Sequence, residues 1–169
     1  MDPIRVCSFA PVVGARTRIL ILGSMPGVAS LAAGQYYAHP RNQFWGIMGA
    51  LCGAGPERSY RERLRILTRA RLGLWDVLES CVRPGSLDAA IEHASATPND
   101  LPALLRQRAI TRVCCNGGTA HRALQRYFAA RLAREFADLE VCALPSTSPA
   151  NASWSYARKL RAWRTALEL

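Results

Sequence analysis

Lysine is almost missing from this chain. Of its 22 basic residues only Lys159 is a lysine, and the rest are arginine. One side-chain amine leaves little scope for Schiff-base chemistry, which needs such a nucleophile. Acidic residues are also scarce, 12 in 169, so the formal net charge is +10. Long apolar runs are absent too. Stretches such as ILIL at 19–22 fall far short of the roughly 20 residues that a membrane-spanning helix requires. The opening MDPIRVCSFAPVV has no basic start followed by an apolar block, so no secretory leader is expected and a cytoplasmic location is. The six cysteines, Cys7, Cys52, Cys81, Cys114, Cys115 and Cys142, form no CxxC pair and have no histidine at zinc-finger spacing. That argues against structural zinc and against a four-thiolate cluster. Small, reduced, mostly buried thiols are expected instead.

What is present is charge and pattern. An arginine-rich surface suits phosphate through bidentate bonding and stacking, which points to a nucleic-acid or nucleotide partner. Half the residues are apolar, enough for a real core at this length. Four short apolar runs read as buried strands: RILILG (18–23), LGLWDV (72–77), ITRVCCN (110–116) and LEVCALP (139–145). Helical spacing lies between and after them. Ala120, Leu124 and Phe128 recur within 117–132, and Ala157, Leu160, Trp163 and Leu167 within 152–168. The alternation predicts an α/β domain with a mostly parallel sheet covered on both faces. In such sheets ligands bind beyond the carboxyl ends of the strands. The loops there read GSMPG (23–27), DVLESCVRPG (76–85), NGG (116–118) and PSTSPAN (145–151). GSMPG has neither the glycine and lysine of a P-loop nor a dinucleotide-binding glycine triplet, and reads as a tight, fixed turn. Seven residues on stands GQYYAHPRNQFW (34–45), aromatic rings mixed with amides and a cation, on the same rim.

A strand ending in GSMPG, then YYAHPRNQFW, then a late LPSTSPAN resembles the uracil-DNA glycosylase superfamily, most nearly its hypoxanthine-DNA (deoxyinosine) glycosylase branch. The resemblance runs from about residue 18 to 160. It implies a three-layer α/β/α sandwich around a four-stranded parallel sheet, with 1–169 as one glycosylase domain acting as a monomer. The implied reaction is hydrolysis of the N-glycosidic bond of a deaminated base in DNA, hypoxanthine first and uracil second. No lyase step, cofactor or membrane is implied. Base-excising enzymes must extrude the target nucleotide from the stack.

Residue by residue, the resemblance makes Tyr37 the base-stacking aromatic and Asn42 the catalytic side chain that orients water through its carbonyl. A helix cap is the competing role for Asn42. Tyr36 is expected to pack elsewhere and His39 to fix the loop. Asp76 falls where the family carries a base-reading side chain. Its carboxylate could accept the N1–H that hypoxanthine offers, although a helix cap fits it equally well. Ser24 and Met25 join it at the base. Arg41, Asn116, Ser146, Thr147, Ser148 and Asn151 are expected at the DNA phosphates. One departure stands out. Most of the superfamily places Asp or Asn where this chain has Met25, and a thioether neither deprotonates nor orients water. Either Asn42 takes over, or the fold is a silent DNA-binding module; an enzyme on free nucleotides is a third reading. Lys159 is expected to be solvated, on the face of its helix opposite the core.

Overall fold

The protein was analysed as a computed structural model, which describes residues 4–169. In chain order the elements are β1 (Arg5–Cys7), β2 (Ile19–Gly23), α1 (Val28–Ala33), α2 (Phe44–Cys52), α3 (Tyr60–Arg69), β3 (Leu72–Asp76), β4 (Leu78–Val82), β5 (Glu92–Pro98), α4 (Leu101–Gln107), β6 (Arg112–Asn116), α5 (Gly118–Glu135), β7 (Glu140–Leu144) and α6 (Tyr156–Leu167).

The four predicted runs are the four strands of one sheet, ordered β3-β2-β6-β7, with every neighbouring pair parallel. Successive side chains of a strand point to opposite faces, and both faces are apolar here. Leu20, Leu22, Val113 and Cys115 face a core completed by α4 and α5. Ile21, Leu72, Leu74 and Cys114 face another, filled from α2, α3 and α6 by Phe44, Trp45, Ile47, Met48, Leu67 and Trp163. The expected three-layer α/β/α sandwich is what forms.

The chain leaves β2 for β3 on one side, then returns across the sheet to β6 on the other. The order reverses between β2 and β6. The crevice beyond the carboxyl ends at such a switch point is where open α/β sheets bind ligands.

A second sheet, β1-β4-β5, was not expected. Half of the predicted loop 76–85 is strand β4, paired antiparallel with β1 and with β5. Leu78 and Cys81 carry this sheet into the core beside α4, joined by Ile91 just before β5.

Helix α6 corrects one expectation. Its buried stripe is Lys159, Trp163 and Leu167, while Ala157 is exposed. Lys159 is only 2% exposed, and its Nζ donates to the Asn151 carbonyl at 2.8 Å. Two stripes share Trp163 and Leu167, and spacing alone does not choose between them. A loop carbonyl needing a donor does. Of the thiols, Cys81, Cys114 and Cys115 are buried as expected, whereas Cys7 is exposed. Among the described residues no helix is long and apolar enough to cross a membrane.

Candidate active site

Strands β2 and β3 end side by side, Gly23 paired with Asp76. Asp76 is 4% exposed, and its Oδ2 has no hydrogen-bond partner. The carboxyl leans over Gly23: a Cβ there would fall 2.5 Å from Asp76 Oδ1 and 3.5 Å from the Tyr37 hydroxyl. Burial, with the charge of Asp88 adding and that of Arg83 opposing, pushes Asp76 up to about 8. The group is therefore mainly a neutral acid at pH 7. No helix follows it, so the capping alternative falls away. The strand end is held by Asn99, whose Nδ2 donates to the Asp76 carbonyl at 2.9 Å.

Tyr37 stands across from this carboxyl. Its ring stacks on Phe44, centroids 4.0 Å apart. Its hydroxyl is buried without a partner, and burial, then the nearby Asp76, raises it well above the usual phenol range. The backbone is left-handed, with φ 56°, a strain that persists only where the surroundings over-determine it. They do so here through Tyr36. The Tyr36 hydroxyl donates to the Ala10 carbonyl at 3.1 Å, its N–H to the Tyr60 hydroxyl at 3.0 Å, and its carbonyl accepts from Trp45 Nε1 at 2.9 Å. So the crowded aromatic stretch has a division of labour. Tyr36, Trp45 and Phe44 build a wall, and that wall presents Tyr37.

Asn42 stands one residue ahead of Gln43, the N-cap of α2, which makes no side-chain cap bond of its own. The Asn42 Oδ1 accepts from the Phe44 N–H at 2.9 Å, so the cap expected of Asn42 takes the form of a turn that satisfies the first N–H of the helix. A carbonyl oxygen has two lone pairs, and this bond uses one and fixes the other's direction. The preceding turn is held by Asn42 N–H donating to the His39 carbonyl and Arg41 N–H donating to His39 Nδ1 at 3.1 Å. His39 thus fixes the loop, and the Arg41 side chain is left exposed.

The first motif is held by two residues that sequence reasoning missed. Ser24 Oγ donates to Asp88 Oδ1 at 2.7 Å. Arg83, 2% exposed, donates from Nε to the Gly85 carbonyl at 3.0 Å, and from its two terminal nitrogens to the Met25 and Pro26 carbonyls. Neither residue belongs to a recognisable motif; Arg83 at the end of an apolar strand was the available signal. The Met25 side chain packs into the core on the α4–α5 side, so it is not the base contact expected of it. Only its backbone borders the site.

The late loop uses its polar groups on itself. Asn116 Nδ2 donates to Thr147 Oγ1 at 2.9 Å, and Thr147 N–H returns a bond to Asn116 Oδ1 at 3.0 Å. Thr147 is wholly buried, so this pair shapes the rim and does not present itself to phosphate. Ser146 Oγ accepts from Ser148 N–H, Ser148 Oγ from Ala150 N–H, and Asn151 Nδ2 donates to the Ser146 carbonyl. The Gln43 N–H donates to the Thr147 carbonyl at 3.0 Å, tying this loop to α2.

Among the described residues, four buried side-chain polar atoms have no partner: Tyr37 Oη, Gln43 Oε1, Asp76 Oδ2 and Arg63 Nε. The first three belong to the rim at the carboxyl ends of the strands. Buried polar atoms are nearly always satisfied, so the orphaned Tyr37 Oη and Asp76 Oδ2, whose side chains meet at Gly23, mark a place prepared for polar ligand atoms. Gly23→Ala is expected to displace Asp76, the flexible member of the clash, and to reduce activity at this site at least tenfold while the fold survives. Circular dichroism beside a turnover assay checks both.

Comparison with known proteins agrees with this fold. A family model described as the uracil DNA glycosylase superfamily matches residues 10–167. A hypoxanthine DNA glycosylase of Methanosarcina acetivorans is 34% identical over 158 residues, 89% of this chain and 91% of that protein. One from Methanosarcina barkeri is 44% identical over 85 residues, a stretch spanning 50% of this chain and 54% of that protein. A solution NMR structure of a Methanosarcina acetivorans protein, described as a candidate uracil DNA glycosylase, superposes with a TM-score of 0.77 at 32% identity, covering 98% of this chain and all of that one.

Proposed function

The chain belongs to the uracil DNA glycosylase superfamily, and from that premise we propose that it is a DNA glycosylase that hydrolyses the N-glycosidic bond of a deaminated base, with hypoxanthine preferred and uracil a second substrate. The observation that carries the reading is the orphaned, neutral Asp76 carboxyl facing Tyr37 at the carboxyl ends of β2 and β3. A neutral acid offers one donor and one acceptor. That matches the N1–H and O6 of hypoxanthine, and equally an N–H and carbonyl of uracil. An ionised carboxylate would accept the N–H but repel the oxygen beside it. As the glycosidic bond breaks, its electron pair goes to the base, and an O–H aimed at O6 stabilises the charge that develops there, as oriented donors do in water-poor sites. In this reading Tyr37 stacks against the extruded base, which its position beside Asp76 supports. The free lone pair of Asn42 Oδ1 orients the water whose oxygen bonds to C1′, and the proton it sheds balances the departing base. Arg41 meets the backbone phosphates. A single protomer holds all these groups.

The experiment is base release from labelled duplexes, each with one deoxyinosine or one deoxyuridine, read as alkali-sensitive abasic sites. A silent DNA-binding module is the second reading, and the bond that Asn42 already makes to Phe44 favours it. Binding without release would establish that reading.

Two expected results follow from the charge and from the single amine. Raising salt from 50 to 200 mM should weaken DNA binding by about 10² or more if four or five phosphates are contacted; a flat response would remove DNA as the partner. Borohydride should trap no lysine adduct on abasic DNA. Burial lowers the proton affinity of Lys159, which by itself favours an amine nucleophile, but its Nζ is enclosed and bonded to the Asn151 carbonyl. A trapped adduct that vanishes in Lys159→Met would show that the loop opens and a lyase step exists.

A further inference from the structure

On the far side of Asp88 lies a cavity of about 270 Å³ lined by Asp88, Ala89, His93, Thr119, Arg122, Ala123 and Arg126. It adjoins the candidate base site, because Asp88 forms one wall and bonds to Ser24 of the first motif. The volume equals roughly nine waters' share of liquid, room for a phosphate with its sugar. Arg122 and Arg126 are one helical turn apart on α5, and like charges at that spacing repel. Among the described residues neither has a carboxylate within ion-pair distance, whereas Arg131 and Arg134 on the same helix both pair with Glu135. Arg122 donates only to Thr119 Oγ1, at 3.1 Å. The Asp88 carboxyl, bonded through Oδ1 by Ser24, offsets part of the charge of the two arginines across the cavity, and the lining stays net positive. Two unpaired guanidiniums, a hydroxyl and an imidazole around one concavity are the donors that a phosphodiester takes.

We propose that this cavity is a subsite for one phosphodiester of the lesion-bearing strand, held by Arg122 and Arg126, a short distance along the backbone from the extruded nucleotide. The proposal rests on the glycosylase reading for the identity of its ligand. Its geometry is independent of the chemistry at Asp76 and Asn42. The site would hold the strand on the side away from Arg41 and α2, so the backbone is gripped on both flanks of the base.

The test is a scan of single methylphosphonate linkages, which are neutral, placed one at a time on either side of a deoxyinosine. The wild type is compared with the double variant Arg122→Gln/Arg126→Gln and with Arg164→Gln. Arg164 lies in the last turn of α6, near the Ala166 carbonyl that Arg112 binds at the amino end of β6, on the opposite rim. For the wild type, one linkage should weaken binding about tenfold. The double variant should bind unmodified DNA with a salt slope lower by about 0.9, the share of one phosphate, and should lose its sensitivity at that linkage alone. Arg164→Gln should behave as wild type. All three side chains are exposed, and unchanged melting temperatures confirm folding. If the double variant keeps the wild-type pattern across every linkage, the subsite does not exist. If inorganic phosphate competes as well as the strand does, the cavity is a free-anion site and the proposal fails. If the linkage effect appears but no base is released from any duplex, the subsite stands and the glycosylase reading falls.

Discussion

Asn42→Ala is expected to slow single-turnover base release by roughly 10²–10⁴, the range for a positioned water-orienting or proton-transfer group. DNA affinity should barely change, because the phosphate contacts lie elsewhere. The same substitution removes the bond to the Phe44 N–H, so about 1 kcal/mol of stability should go with it. The two effects separate in Asn42→Ser. Serine caps as well as asparagine, but its oxygen sits closer to the backbone and cannot aim at C1′. A serine variant with wild-type stability and alanine-like turnover assigns the catalytic role. A serine variant with near-normal turnover makes Asn42 structural, and the water must then be held by another group.

Asp76→Asn should have two opposed effects. Base release should fall by up to about 10², because the amide keeps one acceptor and an N–H donor but its N–H is a far weaker acid than the carboxyl O–H and stabilises the developing charge less. Stability should rise at alkaline pH. The folded-state value near 8 lies above the ordinary 3.8 of an aspartate, so the folded protein binds a proton that the unfolded chain releases. Its contribution to stability is fully present below pH 3.8 and is lost as pH rises through 8. Most of the loss measurable at working pH falls between pH 6 and 8, about 2 kcal/mol at the rate of 1.36 kcal/mol per unit. Chemical denaturation of both proteins at pH 6, 7, 8 and 9 checks this. The wild type should weaken relative to Asp76→Asn across that window. Parallel curves would mean that Asp76 is ionised throughout and does not donate.

The parts of the fold that the sequence displays are those with period and burial in common. A parallel strand covered on both faces is a continuous apolar run, and ILILG, LGLWD and RVCCN are visible for that reason. The second sheet is not visible. β1 has three residues, β5 reads EHASATP with its first three exposed, and the β4–β5 ladder shifts register twice. Such strands are set by pairing, not by composition. In the site, Tyr37 and Asn42 were legible because their motif is local. Asp76 was legible only as a position; its neutral state comes first from burial and then from the charge of Asp88, 12 residues downstream. Arg83 and Asp88 were invisible because their partners are carbonyls and a hydroxyl brought in from the first motif. Thr147 was misread for a related reason. A loop packed this closely must satisfy its own amides first, and Thr147 meets Asn116 before any phosphate.

The three carbonyls gathered by Arg83 have a mechanical consequence. They come from the first motif and from the turn after β4, so the two loops on that side of the crevice are riveted to one guanidinium and shift only together. Across the crevice, Thr147 rivets the late loop to β6 and to the start of α2. A receptacle so braced does not mould itself to its guest, and the deformation falls on the DNA. The work of extraction is then the work of opening the base pair and unstacking the nucleotide, which is least for a mismatched or damaged base. Rigidity thus turns the weakness of a lesion's own pairing into part of its recognition, before any atom of the base has been read.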